Sequence, residues 1–234
     1  MNFLFKQEVI DYDYFKTDNS TQTILFLHGW GGNKFSFAGS LPLLKNKFNL
    51  LTITMPTTQT TKQVWCLEDY VNLINSILKI LNIQKFYVVC HSFGFRIACL
   101  LNKHDIQKIV VTGGAGPKKE GIIKRIKTDN NKLLLKLKKI EYSSVASKDY
   151  LSLDATNKQT FKNIVNCNLK NFISFPCPVL LFWGKRDAET PMWICNLIFK
   201  HNKATKIVTN SNHFAYIKEN ALFCNSLTKF FNGN

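Results

Sequence analysis

The sequence predicts an α/β fold in which a mainly parallel sheet is covered by helices on both faces. Apolar runs of strand length alternate with longer segments of helical periodicity, as where the run 86–90 follows the amphipathic stretch 66–81. Continuous apolar runs are typical of central parallel strands, which are buried on both sides. Polar or glycine-rich segments follow three such runs directly, at 28–32, 91–94 and 184–187. In open α/β sheets, functional residues gather at these carboxyl ends of the strands.

The individual elements follow from periodicity and from the residues that stop each run. Residues 9–15 partly alternate, the run 50–54 is stopped by Pro56, and the stretch 66–81 places apolar residues at helical spacing. We predict strands at 2–6, 9–15, 24–27, 50–54, 86–90, 109–111, 179–183 and 206–209. We predict helices at 66–81, directly after residue 92, at 190–200 and at 219–231.

Residues 117–171 break this alternation and are predicted to form a small helical cap or lid inserted between two strands. The segment carries 13 Lys or Arg against five Asp or Glu, a surplus of eight that is half of the net charge of +16. Apolar residues mixed with lysines between 122 and 140 indicate one or two amphipathic basic helices. Such a cap either packs on the sheet with a solvated lysine face, or attracts acidic substrates or a membrane surface.

The length of 234 residues predicts one domain, 1–234, with enough chain to bury a sizeable core. The first residues lack the features of a secretory signal, and no apolar segment reaches the roughly 18 residues that a membrane-spanning helix needs. The seven cysteines are scattered and none forms a C-x-x-C pair, which favours reduced thiols over disulfides or a zinc cluster. These features predict a cytoplasmic protein.

The chain is strongly basic, yet its composition does not predict a nucleic-acid partner. Of 31 basic residues, 28 are lysine and three are arginine. Nucleic-acid surfaces usually use arginine, whose planar side chain makes bidentate contacts. We therefore interpret the charge as a generally basic, solvated surface, and contact between the basic cap and a membrane surface is the less favoured interpretation.

The segment after the run 86–90 has the pattern of a serine nucleophile. Ser92 lies in Cys-His-Ser-Phe-Gly, between a predicted strand and a predicted helix. A tight strand-to-helix turn exposes such a serine at the edge of the sheet and leaves backbone N–H groups beside it. Gly94 lies two positions after Ser92. Cys90 stands where a first glycine, which allows close packing at the turn, is expected, and we expect this small residue to be buried. The alternative is that Ser92 only caps the following helix.

An acid and a histidine follow in the chain order that a serine hydrolase on such a sheet shows. Asp187 follows the run 179–183, and His213 lies 26 residues later in a polar loop after the run 206–209. A serine hydroxyl needs a base within hydrogen-bond reach, and the base needs an orienting acid. Glu189 is the nearest substitute acid, but it falls within the start signal of the next helix.

A glycine-rich loop after the run 24–27 supplies the remaining candidates. It reads His-Gly-Trp-Gly-Gly and lacks the spacing of a phosphate-binding loop. An acyl-transfer transition state develops negative charge on oxygen, which two backbone N–H groups can stabilise. By position, the candidate donors are the N–H groups of Trp30 and Phe93. We expect the loop and the turn to be supported by His28, Gly29, Gly31 and Gly94.

These motifs resemble those of the α/β-hydrolase superfamily, and the similarity extends over nearly the whole chain. The likeness is to small bacterial serine-type members of carboxylesterase type, with an H-G-W-G-G loop and an H-S-F-G-G-R turn. Here Phe95 replaces the second glycine of that turn. The resemblance implies a triad of Ser92, Asp187 and His213. It also implies an oxyanion hole from Trp30 and Phe93, and no metal or organic cofactor.

The expected activity is hydrolysis of a small-molecule ester or related carbonyl substrate through an acyl-enzyme. An apolar acyl pocket is predicted from the aromatic residues Trp30, Phe93 and Phe214. One alternative is a thioesterase or lactonase that the basic cap supplies with anionic substrates. The other is a hydrolase-fold binding protein with weak or no turnover.

Overall fold

One sheet organises the described part of the chain, which is residues 1–57, 61–118 and 153–233 of a computed structural model. Its strands are β1 (Asn2–Phe5), β2 (Glu8–Phe15), β3 (Thr23–Leu27), β4 (Asn49–Ile53), β5 (Phe86–His91), β6 (Ile106–Thr112), β7 (Val179–Gly184) and β8 (Ala204–Thr209). The spatial order is β1-β2-β4-β3-β5-β6-β7-β8. Strand β2 pairs antiparallel with β1 and β4, and the other neighbours pair in parallel. The predicted mainly parallel sheet is confirmed.

Helices cover both faces of this sheet, as predicted. They are α1 (Leu41–Leu44), α2 (Leu67–Ile80), α3 (Phe93–Ala98), α4 (Ala155–Asn166), α5 (Met192–Lys200), α6 (Ala215–Lys218) and α7 (Asn220–Asn232). Helices α2, α3 and α5 pack in one apolar layer, and α1, α6 and α7 pack in the other. None of these helices, within the ranges given above, has both the length and the apolar character to cross a membrane.

The central strands are buried because each contributes side chains to both layers. In β3, Leu25 and Leu27 join the layer of α2, while Ile24 and Phe26 join the layer of α7. All five residues of β3 are buried, and so are all six of β7. This two-sided burial is the reason that these strands read as unbroken apolar runs.

The predicted insertion at 117–171 is described only in part. The basic helices expected between 122 and 140 lie outside the described residues. Its C-terminal part contains α4, which packs on the segment before α2: the backbone N–H of Trp65 donates to Thr160 Oγ1 at 2.9 Å. Arg96 of α3 fixes the other end of α4, because its guanidinium donates to the carbonyls of Ile164 and Cys167 at 3.0 Å each. The division into one domain with a cap stays a prediction.

Candidate active site

Ser92 occupies a sharp turn between β5 and α3. Its backbone has φ 47° and ψ −108°, a left-handed conformation that costs a non-glycine residue free energy and is concentrated at functional sites. The turn lies directly on the end of β3, since a Cβ on Gly94 would stand 2.2 Å from the Leu27 carbonyl oxygen. Only glycine fits there. The contact therefore fixes Ser92 at the carboxyl edge of the sheet.

Two departures from the usual turn sequence are accommodated by their surroundings. Cys90 is fully buried, its thiol donates to the Val110 carbonyl at 3.4 Å, and burial raises the pKa of that thiol well above its usual value. Phe95 is also fully buried, and Gly114 leaves room for its ring, because a Cβ at residue 114 would lie 2.9 Å from Phe95 Cδ1. A thiol held protonated inside the sheet is a poor nucleophile.

Asp187 and His213 form a buried hydrogen bond at the ends of β7 and β8. Asp187 Oδ2 lies 2.9 Å from His213 Nδ1 and also accepts the Thr190 hydroxyl at 2.6 Å. Asp187 Oδ1 accepts the backbone N–H groups of Glu189 and Thr190 at 3.0 and 2.8 Å. Burial alone would raise the pKa of Asp187, but hydrogen bonds from His213 and Thr190 hold that pKa below its ordinary value. An ionised Asp187 places the Nδ1 proton of His213 towards itself.

The structure brings Ser92 and His213 to the same edge of the sheet without a direct hydrogen bond. No residue in the described part of the chain makes a hydrogen bond to Ser92 Oγ. The other ring nitrogen of His213, Nε2, lies 3.3 Å from Glu189 Oε2. The substitute acid considered from sequence therefore faces the nitrogen that a serine would use, while Asp187 takes the orienting position.

His91 supports His213 in a way that the sequence did not reveal. The two rings lie 4.6 Å apart between centroids, and His91 Nε2 donates to the His213 carbonyl at 3.2 Å. Burial, and then the neighbouring His213, lower the pKa of His91 to about 3. A neutral His91 is thus a fixed spacer between the nucleophile turn and the histidine loop.

The glycine-rich loop is anchored through His28. The Met55 N–H donates to His28 Nε2 at 2.8 Å, so the ring proton is on Nδ1, which donates to the Gly29 carbonyl at 2.7 Å. Burial lowers the pKa of His28 to about 4. The Gly31 N–H donates to Thr57 Oγ1 at 3.1 Å. These bonds hold the loop against the chain that follows β4.

Neither candidate oxyanion donor gives its backbone N–H to an acceptor in the described part of the chain. Phe93 is the first residue of α3, so its N–H has no acceptor within the helix. The Trp30 N–H donates to no carbonyl in the described ranges. Gly29 lies beside Ser92, since a Cβ at residue 29 would be 3.5 Å from Ser92 Cβ. Both N–H groups are therefore available near Ser92.

Aromatic side chains build an apolar wall next to these donors. The Trp30 ring meets Phe93 at 5.6 Å and Phe161 at 5.1 Å between centroids, both edge to face. Phe161 belongs to α4, and no motif in the sequence marks it as part of this wall. Phe214 lies instead on the histidine side, 5.4 Å from His213 and 43% exposed. The described wall is thus formed by the glycine-rich loop, the turn at Ser92 and helix α4.

Sequence comparison finds one partial relative among curated proteins. No family model matches the chain. The uncharacterized hydrolase YugF of Bacillus subtilis (strain 168) is 26% identical over 102 residues. That match covers 41% of this chain and 37% of the relative, so it spans little more than a third of the relative's length.

Solved structures match over nearly the whole chain. The enol-lactonase from Burkholderia xenovorans LB400 has a TM-score of 0.73 at 12% identity, covering 99% of both chains. The esterase EaEST from Exiguobacterium antarcticum has a TM-score of 0.72 at 16% identity, covering 98% of both chains. At such identities the likeness is one of fold. Together with the strand order and the parallel pairing, it shows that this chain has the α/β-hydrolase fold.

Proposed function

We propose that the protein is a serine hydrolase that cleaves carboxylic esters or closely related carbonyl substrates. The observation that carries the proposal is the buried Asp187–His213 hydrogen bond, 2.9 Å long, beside a strained turn that presents Ser92. An imidazole oriented by an ionised carboxylate is the arrangement that activates a serine hydroxyl. The hydrolase names of the curated relative and of the solved structures support the same reaction class.

In the proposed reaction, Ser92 Oγ attacks the substrate carbonyl and its proton passes to His213 Nε2. Asp187 holds the Nδ1 proton and stabilises the imidazolium that forms. The N–H groups of Trp30 and Phe93 receive the developing oxyanion. The leaving alcohol takes the proton from Nε2, and water, activated by the same nitrogen, then hydrolyses the acyl-enzyme. The Ser92–His213 hydrogen bond forms with substrate, since such bonds are often long or absent in ligand-free sites.

The acyl group of the proposed substrate is apolar. The wall of Trp30, Phe93 and Phe161 stands beside the candidate oxyanion donors, where the acyl chain of a bound ester would lie. Burying each methylene against such a wall contributes about 0.8 kcal/mol. We therefore expect kcat/KM for p-nitrophenyl esters to rise from acetate to hexanoate. A preference for acetate would contradict the assignment of this pocket.

A second candidate is a hydrolase-fold binding protein with weak or no turnover. The lack of a hydrogen bond to Ser92 Oγ among the described residues favours it, because an unpaired hydroxyl is not activated. In such a protein, a small carbonyl ligand would contact the same aromatic wall and accept hydrogen bonds from the same N–H groups without being cleaved.

Labelling with a serine-reactive fluorophosphonate separates the two candidates. Intact-mass analysis should show one adduct on the wild type, none on Ser92→Ala and a normal adduct on Cys90→Ala, which removes the neighbouring buried thiol. His213→Ala should slow labelling by about two orders of magnitude or more. A folded wild type that takes up no label would refute the hydrolase assignment and favour the binding protein.

A further inference from the structure

Glu189 places a second carboxylate at the reacting nitrogen of His213. Its Oε2 lies 3.3 Å from Nε2, while Asp187 occupies the Nδ1 side at 2.9 Å. The His213 side chain is only 5% exposed, whereas that of Glu189 is 61% exposed. The carboxylate of Asp187 is thus buried, whereas that of Glu189 lies on the solvent side of the same ring.

The position of Glu189 is set by the backbone. The Glu189 N–H donates to Asp187 Oδ1 at 3.0 Å, so the residue is held in a turn closed by the orienting acid itself. The next residue, Thr190, is tied to Asp187 by two further hydrogen bonds. The side chain of Glu189 can rotate, but its Cα cannot leave the neighbourhood of His213 without opening this turn.

In the proposed reaction, the position of Glu189 matters for the step in which the leaving group departs. When the tetrahedral intermediate collapses, the bond between the carbonyl carbon and the leaving oxygen breaks, and that oxygen takes the proton from Nε2. A leaving oxygen that accepts this proton lies within a hydrogen bond of Nε2, about 3 Å away. The carboxylate of Glu189 touches the same nitrogen. The leaving group therefore departs past Glu189, whereas the acyl group faces the aromatic wall.

We propose that Glu189 determines leaving-group specificity, favouring substrates whose alcohol portion carries a positive charge and disfavouring those whose alcohol portion is anionic. This inference rests on the proposed serine hydrolase function. A cationic group, such as the quaternary ammonium of an amino-alcohol ester, would pair with Glu189 as it enters. An anionic group would meet a like charge at the reaction centre.

The net charge of the whole chain favours anionic substrates, which is the opposite of the preference proposed for Glu189. The two effects can therefore be measured separately. A net charge of +16 attracts anions from a distance, and salt screens this long-range field within about 8 Å at physiological ionic strength. A contact between Glu189 and a bound leaving group is screened less. Selectivity that persists in about 0.5 M salt is therefore local.

The test uses three esters with one butyryl group and different alcohols: ethanol, choline and glycolate. The measured quantity is the ratio of kcat/KM for the choline ester to that for the glycolate ester, at low and at high salt. We expect Glu189→Gln to lower this ratio about tenfold. Removing the partly exposed charge should lower kcat/KM severalfold for the choline ester and raise it severalfold for the glycolate ester. Any general effect of Glu189 on His213 changes all three substrates alike and cancels in the ratio.

Asp18→Asn is the matched control. It also removes one negative charge, from an exposed loop before the amino end of β3 and so at the opposite edge of the sheet. Its ratio should equal that of the wild type. If Glu189→Gln hydrolyses the ethyl ester through Ser92 but keeps the wild-type ratio, the inference is wrong and the serine hydrolase stands. If the wild type hydrolyses none of the esters, both are wrong.

Discussion

Two of the buried histidines, His28 and His91, should make the protein lose stability steeply in mild acid. Burial lowers the pKa of His28 from 6.5 to about 4 and that of His91 from 6.5 to about 3. Both therefore bind a proton in the unfolded chain at a pH where the folded chain excludes it. Their contribution to stability is complete above pH 6.5 and is lost as the pH falls towards these lowered values.

The magnitude at pH 5 depends mainly on the unfolded state. At pH 5 both folded-state pKa values still lie a unit or more below the pH, whereas the unfolded value of 6.5 lies 1.5 units above it. Each histidine therefore costs about RT ln(10^1.5), which is about 2 kcal/mol relative to pH 7.5. The two together remove about 4 kcal/mol, a large share of the 5–15 kcal/mol that stabilises a typical domain. A change of one pH unit in the folded-state pKa values would alter this sum little.

The assay is urea unfolding followed by tryptophan fluorescence at pH 7.5 and pH 5. The His28→Asn and His91→Asn variants should each lose about 2 kcal/mol less than the wild type between these pH values, whatever their stability at pH 7.5. His104→Asn, at an exposed position, should keep the wild-type difference. If either buried-site variant loses as much as the wild type, that histidine is charged in the folded protein and the argument from burial is wrong.

Three further predictions concern the turn that contains Ser92, the carboxylate of Asp187 and the docking of helix α4. Gly94→Ala should lower the free energy of unfolding by about 3 kcal/mol or more, seen as a fall in Tm, because the new Cβ would lie 2.2 Å from the Leu27 carbonyl oxygen. A variant as stable as the wild type would show that the turn can move away from β3. Asp187→Asn should lower kcat for esters by about four orders of magnitude with circular dichroism unchanged, and a loss below tenfold would contradict its orienting role. Arg96→Met should speed amide exchange in α4 and cost about 2–3 kcal/mol, because the Ile164 and Cys167 carbonyls lose the guanidinium donor. Unchanged exchange would show that Arg96 does not hold the helix.

The sheet and the placement of the candidate site could be predicted because both are local properties of the sequence. The segments that carry Ser92 and Asp187 follow the buried apolar runs of β5 and β7, and His213 follows the partly exposed edge strand β8. Since the strands are parallel, their carboxyl ends meet at one edge. The two helices α1 and α6 were missed because four residues are too few to show a helical period.

Contacts between distant segments could not be predicted. His91 lies 122 residues from His213 in the chain, and nothing near it in the sequence indicates that its ring packs on the histidine loop. The same holds for Phe161, which only the docking of α4 brings against Trp30. The sequence places Glu189 at the start of a helix, whereas its contact with His213 depends on the turn closed by Asp187.

The fit between Phe95 and Gly114 has a consequence for how such chains can change. The ring at residue 95 occupies the volume that a side chain at residue 114 would need, since a Cβ there would lie 2.9 Å from it. Val111 Cγ1 lies closer still, 2.6 Å from the same Cβ position, so a smaller residue at 95 alone would not admit a side chain at residue 114. Residue 114 should consequently remain glycine in homologous chains unless residues 95 and 111 both become smaller, with the turn itself left in place.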